Sequence, residues 1–172
     1  MPASTPPLIL TLTLDDTSQA YFNALRQQHF PPAINYLQAH VTLFHHLPGS
    51  EQEAIAAEMQ QRCAQLPPLA VSVTGVRFLG LGVAFSLECP ILSTLHRELQ
   101  AAWHPRLTPQ DQHRLNPHVT VQNKVAPNVA RRLYLELSRD FRPFRATGTG
   151  LQLWAYLGGP WESVRQFSFA EK

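Results

Sequence analysis

The sequence predicts an α+β fold: a bilobal, duplicated unit in which two antiparallel or mixed sheets face each other across a central cleft, with helices on the outside. Three observations point there. Strand-like and helix-like apolar patterns alternate along the chain, their order repeats in the two halves, and one short wording occurs once in each half, HVTL at 40–43 and HVTV at 118–121.

Leu8 to Leu14 alternates aliphatic residues with Thr11 and Thr13, the period of a half-buried strand. A helix over about residues 17–28 follows, with Tyr21 and Leu25 one turn apart on its buried side, and the Phe30-Pro31-Pro32 turn ends it. Residues 39–44 form the next strand. Ser50 with Glu53 reads as a capping box that opens a helix with Ile55, Met59, Cys63 and Leu66 on one face, stopped by Pro67 and Pro68. Leu69, Val71 and Val73 then alternate with small or polar residues in a strand running towards Phe78.

The second half repeats the order. Leu81, Val83, Phe85 and Leu87 mark a strand, and Leu92, Leu95, Leu99 and Trp103 trace a helical stripe. Residues 117–122 form the next strand, and a helix from about Pro127 follows with Val129, Leu133 and Leu137 as its apolar ridge. Strands near 143–149, 150–157 and 164–169 close the chain. In each half a strand pattern lies about 30 residues before the histidine strand and another about 30 after it, an internal duplication of a strand, helix, strand, helix, strand unit. The repeat halves are approximately 8–80 and 81–169.

With 172 residues and 44% apolar content the chain fits one domain, residues 1–172, with a real core. A formal net charge of +2 is too weak to wrap long nucleic acid, so any such partner is expected to be short or held locally. The two cysteines, Cys63 and Cys89, have apolar neighbours and no C-x-x-C spacing, which suits buried thiols in a reducing compartment. The stretch MPASTPPLIL lacks the basic flank and long apolar run of a signal peptide, and no apolar run reaches membrane-spanning length. A cytoplasmic monomer without a membrane partner is expected.

The paired motif carries the chemistry. Chance gives roughly 0.5 H-x-T matches in such a composition, but only on the order of 0.01 with Val in the middle and an aliphatic residue after Thr, and here there are two. Period-two geometry puts His40, Thr42 and Phe44 on one strand face and His118, Thr120 and Gln122 on the other strand's corresponding face, with Val41, Leu43, Val119 and Val121 behind. Either motif alone is no more than a polar residue beside a good strand former. Related by a pseudo-two-fold, the pair offers two imidazoles and two hydroxyls to one point. That suits in-line displacement at phosphorus, where the entering oxygen loses a proton and the leaving oxygen gains one on the opposite side. Imidazole titrates near 6.5, so a neutral base and a protonated acid coexist at neutral pH. Threonine hydroxyls can donate to the non-bridging oxygens without a metal or other cofactor. Lys124, just beyond the second motif, is a candidate cationic contact.

On these residues the sequence resembles the two-histidine (2H) phosphoesterase superfamily. The wording AHVTLFHHLPG and NPHVTVQNKV is similar to its 2'-5' RNA ligase-like branch, and the resemblance spans nearly the whole chain. It implies a metal-independent phosphodiesterase acting on 2',3'-cyclic phosphates or 2'-5' linkages of nucleotides or short RNA ends, with His40, Thr42, His118 and Thr120 matching the family's motif residues. The chain departs from many relatives at Gln122, Asn123 and Lys124, where those carry an arginine.

His45 and His46 are not expected to join His40 in a metal site. On a regular strand His45 points away from His40, and no Cys or carboxylate joins them at ligand spacing. Phe44, Trp154 and Tyr156 are candidate base-stacking residues; Trp154, Tyr156 and Gln152 share one face of their strand. Two alternatives remain open beside the hydrolase: a non-catalytic module binding nucleotides or RNA ends, and 2'-5' RNA ligase activity, the same chemistry in reverse.

Overall fold

A computed structural model describes residues 3–171; Met1, Pro2 and Lys172, part of the single domain expected from the sequence, lie outside the described residues. The order is β1 (Leu8–Leu14), α1 (Asp16–His29), β2 (Val41–Leu47), α2 (Gln52–Cys63), β3 (Leu69–Phe78), β4 (Val83–Glu88), α3 (Pro90–Trp103), β5 (His118–Gln122), α4 (Pro127–Asp140), β6 (Phe144–Tyr156) and β7 (Trp161–Ser168).

The helices begin for local reasons. Asp15 caps α1 by accepting from the Ser18 N–H at 2.9 Å, and its other oxygen accepts from the Thr147 N–H at 2.7 Å, docking the helix start on β6. Pro90 and Pro127 occupy the first turns of α3 and α4, where a missing N–H leaves no bond unmade. The expected capping box of α2 does not form. Ser50 lies in the 3-10 turn Gly49–Glu51, closed by the Glu51 N–H to Pro48 carbonyl bond at 3.0 Å, and no side chain caps the helix. On α4, Val129 is exposed. The helix starts at Pro127, so the inward stripe is Ala130 and Leu133 with the partly buried Leu137.

All strand pairings are antiparallel and join into one sheet, β2-β1-β6-β3-β4-β5, with β7 also on β6. The expectation of two separate sheets is therefore corrected. The patterns at 143–149 and 150–157 are one strand, β6, which serves both sides of the molecule. One of its edges is covered by β1 from Gly148 to Ala155. The other edge is divided: β3 takes Phe144 to Gly148 and β7 takes Gly150 to Tyr156. Gly150 sits at this handover because the Phe167 carbonyl comes so close that a Cβ would lie 2.2 Å from it. Glycine here marks a close backbone approach and not a strand end. The result is two four-stranded blocks, β2-β1-β6-β7 and β6-β3-β4-β5, fused through β6. The motif strands β2 and β5 are the edge strands of their blocks and lie against each other.

The helices cross over between the blocks. From the N-terminal half, α1 packs on β5, with Tyr21 and Phe22 edge-on to Phe85 of β4 and near Phe144. From the C-terminal half, α3 packs His96 and Trp103 on Phe44 of β2. Between sheet and helices lies one core that includes Leu10, Phe22, Phe85, Leu99, Leu153 and Phe167. Each such side chain contributes about 1.5–3 kcal/mol through burial. Cys63 and Cys89 are free and buried in it, and burial pushes the Cys63 thiol up to about 11, leaving it a poor nucleophile. Among the described residues no helix is long and apolar enough to cross a membrane.

Candidate active site

The two motifs sit in one local frame. His40 stands just ahead of β2, and its Nδ1 lies 2.8 Å from the Gln38 carbonyl. His118 opens β5, and its Nδ1 lies 3.0 Å from the Asn116 carbonyl. A carbonyl only accepts, so in both rings the bonded Nδ1 carries a proton and Nε2 is left for a ligand. Thr42 stands opposite Thr11, and Thr120 opposite Ala84. Behind them Val41, Leu43, Val119 and Val121 are buried.

Each strand then breaks its alternation at the same place. On β2 the register steps from Thr11↔Thr42 to Leu10↔Phe44; on β5 it steps from Ala84↔Thr120 to Val83↔Gln122. One extra residue, Leu43 or Val121, is accommodated directly after each threonine as a β-bulge. Two expected site residues are corrected by it. Phe44 does not follow Thr42 into the cleft; it stands opposite core residue Leu10, fully buried, stacked on His96 at 4.5 Å between ring centroids. Gln122 stands opposite core residue Val83, also buried, with its Oε1 unpartnered.

The expectation for His45 assumed a regular strand, which β2 is not. The register slips a second time between Phe44 and Leu47, and His45 lies exposed within reach of both motif histidines, its charge acting on His40 and His118. Its Nδ1 lies 3.2 Å from Asp111 Oδ1. Lys124 lies in an exposed turn after β5, in the left-handed region with φ 59°, its N–H bonded to Asn123 Oδ1. Tyr156 is the exposed last residue of β6. Trp154 donates its indole N–H to Thr11 Oγ1 at 2.9 Å, tying it to the row that holds Thr42.

Five residues that composition and spacing did not single out surround the motifs. Three are the buried ionisable side chains Arg26, His96 and Asp111. All three grip free edges of the motif strands. Arg26 of α1 donates to the Thr120 carbonyl at 3.1 Å, and to Asn35 Oδ1 and the Leu37 carbonyl, just before His40, at 2.8 and 2.9 Å. His96 of α3 donates to the Leu43 carbonyl at 3.0 Å. Asp111 accepts the backbone N–H groups of His45 and His46, both at 2.8 Å. An edge strand's unpaired backbone groups need such partners when buried. No one-dimensional pattern links Arg26 to Thr120, 94 positions away.

The other two stand near the motifs from other strands. The Trp161 ring lies 4.7 Å from that of His40. Arg77 of β3 stands opposite Ala84, which stands opposite Thr120, so arginine and threonine share a sheet row beside His118. Burial pushes the His40 ring down to about 4, opposed by the Gln38 bond and reinforced by the charges of Arg26, His118 and His45. Burial also lowers His118, opposed by the Asn116 bond and reinforced by Arg77 and His45. Both rings are therefore neutral at pH 7 in the free protein. A groove of about 1240 Å³ lined by Glu88, Arg97, Gln100, Arg114 and Asn116 among others reaches Pro117, the residue before His118, but none of the four motif residues lines it. Among the described residues no group of three His, Cys, Asp or Glu side chains is placed to hold a metal ion.

A family model described as the 2'-5' RNA ligase superfamily matches residues 14–160. No curated protein matches the sequence. Among solved structures, the fold is similar to TT0787 of Thermus thermophilus, with 15% identity and a TM-score of 0.67 over 96% of this chain and 99% of that one. It is similar to E. coli LigT in apo form, with 17% identity and a TM-score of 0.62 over 98% and 99% of the chains. It is similar also to E. coli LigT complexed with 3'-AMP, with 16% identity and a TM-score of 0.57 over 96% and 98%.

Proposed function

The chain belongs to the 2'-5' RNA ligase superfamily, and from that premise we propose that it hydrolyses 2',3'-cyclic phosphates or 2'-5' phosphodiester bonds of nucleotides or short RNA ends, by acid/base catalysis between His40 and His118. One observation carries the reading: both rings are anchored through Nδ1 to the carbonyl two residues back, leaving Nε2 free on two neighbouring edge strands. A binding site needs donors; it does not need two titratable rings held in the same tautomer.

In this reading the Thr42 and Thr120 hydroxyls donate to the non-bridging oxygens of the phosphate. His40, held near 4, is the neutral base that takes a proton from water as its oxygen bonds to phosphorus. The phosphorus–oxygen bond on the far side breaks, and protonated His118 gives its Nε2 proton to the leaving ribose oxygen. From a cyclic phosphate the product is a phosphate monoester beside a free hydroxyl. The negative phosphate itself restores the proton on His118 by offsetting the cations around it.

The nucleotide character of the substrate is supported by the 3'-AMP complex of the similar E. coli LigT and by Trp161, an aromatic wall for a base beside His40. Arg97 and Arg114, in the groove that reaches Pro117, suit the next phosphates of a short RNA end. We also read residues 8–80 and 81–169 as two copies of one unit; the matching bulges after Thr42 and Thr120 support it.

The test is a panel of 2',3'-cyclic mononucleotides, 3',5'-cyclic nucleotides and 2'-5' dinucleotides, incubated with the purified protein in EDTA and resolved by product. Turnover of the first or third class is expected. Binding without turnover supports a non-catalytic module, joining of RNA ends supports a ligase, and loss of turnover in EDTA contradicts the two-histidine mechanism.

A further inference from the structure

The two threonines and two neutral histidines leave the bound phosphate without a permanent positive charge, although even a cyclic diester carries a full negative one. The sheet row that ends in Thr120 supplies a cation. Arg77, Ala84 and Thr120 stand directly opposite one another on β3, β4 and β5, so their side chains emerge on one face. The next row on that face is Gly75, Ser86 and His118. Its floor is low: Gly75 has no side chain, and a Cβ added there would meet nothing within 4 Å. The middle residue of the arginine's own row is the smallest that keeps a Cβ. A guanidinium starting from β3 therefore has a free path across Ala84 towards Thr120 and His118.

Arg77 has no partner that explains its position. Its Nε is buried without a hydrogen-bond acceptor, and among the described residues it joins no ion pair. A buried guanidinium nitrogen left without an acceptor is costly, and a bound anion is one way to complete it. Arg26, by contrast, spends its donors on three protein acceptors and has an explanation within the fold. Phe78, the next residue along β3, meets Tyr134 and Arg131 of α4 on the helix side. Alternation then leaves Arg77 on the face away from α4.

We propose that Arg77 is the cation of the phosphate site, donating from its guanidinium to a non-bridging oxygen of the same phosphate that Thr42 and Thr120 hold. This rests on the phosphodiesterase reading and adds to it the group that neutralises the substrate's charge. Planar, always charged and able to donate from two nitrogens, arginine suits the tetrahedral oxyanion better than a distant lysine on a turn. The charge has a second effect. In the free protein it acts, with His45, to keep the proton off His118. A bound phosphate offsets it, so the acid is charged when substrate is present. The ionisable groups around His118 in this account are Arg77 from β3, His45 from β2 with its partner Asp111, and His40.

The experiment compares wild type, Arg77→Lys and Arg77→Met by titration with inorganic phosphate, followed by calorimetry and by the NMR signals of the His40 and His118 rings. Arg77→Met is expected to weaken phosphate binding about 10- to 100-fold, the range for loss of a charged hydrogen bond, with Arg77→Lys in between. In phosphate-free buffer the His118 ring of Arg77→Met should titrate at higher pH than in wild type. A residue that merely covered Ala84 would move neither quantity in this pattern, because lysine and methionine would serve equally. Phosphate binding within twofold of wild type in Arg77→Met, with His118 unmoved, overturns the inference and leaves the phosphodiesterase reading standing. Phosphate that perturbs neither motif in the wild type overturns both.

Discussion

The strands β2 and β5 carry the same motif in the same backbone frame, yet their surroundings differ. Each histidine bonds the carbonyl two residues back, and each threonine precedes a bulge. Each strand's outer edge is held by a helix from the other half of the chain, β2 by His96 of α3 and β5 by Arg26 of α1. Around this shared frame, His40 lies against Trp161 while the charge of Arg77, in the sheet row of Thr120, acts on His118, and among the described residues β2 alone has a buried carboxylate, Asp111, on its edge. The lesson is that the frame fixes where two imidazoles point, and the neighbours decide what each one does. In the proposed reading, the aromatic wall and burial suit His40 to be a neutral base, and a cation that a substrate cancels suits His118 to be an acid protonated on demand.

The largest effect tests what the strands share. His40→Ala and His118→Ala should each lower turnover by at least about 10², and the double variant by far less than the product, since the two act as one unit. Turnover within a few-fold of wild type in either single variant breaks the equivalence of the two strands. The edge clamps come next. Asp111→Ala removes the buried carboxylate that accepts from the N–H groups of His45 and His46, and a loss of about 1–3 kcal/mol is expected from denaturant midpoints. Arg26→Met should lower stability by a similar amount and disturb the NMR signals of both motifs, whereas Asp111→Ala should disturb mainly that of β2.

Smaller effects probe the difference. Trp161→Ala should raise KM by about 5- to 10-fold, one stacked base, and should let the His40 ring titrate at higher pH by uncovering it. His40 also makes stability depend on pH. Its folded value, about 4, lies below the ordinary 6.5, so the unfolded chain binds the proton first as pH falls. Its contribution to stability is therefore complete above about 6.5 and declines between there and about 4. His40→Asn should flatten thermal stability over that window; an unchanged slope shows that the ring is not held neutral by the fold.

Much of this was legible in the sequence because strand and helix periods are local. The stripe Leu92, Leu95, Leu99 and Trp103 is buried on α3 as its spacing predicts. The paired motifs marked two strands that the structure sets side by side. Strand alternation failed at the bulge after each threonine, and again on β2 between Phe44 and Leu47, because an extra residue in a strand leaves no mark on period-two patterning. The bulges moved Phe44 and Gln122 into the core. Arg77, Asp111 and Arg26 were illegible for another reason: each matters through a partner distant in the chain, which only cross-strand register or helix packing supplies. A histidine doublet followed by Leu-Pro-Gly carried no hint that Asp111 waited for its backbone.

The division of labour between the two strands is tested most directly by the pH dependence of kcat/KM on a 2',3'-cyclic nucleotide, measured for wild type, His40→Gln and His118→Gln. With both free-enzyme rings below 6.5 and His40 at about 4, the wild type should give a bell whose maximum lies on the acid side of neutrality. His40→Gln should lose the rising limb and His118→Gln the falling one. A flat profile, or a bell that survives intact in either variant, would contradict the account.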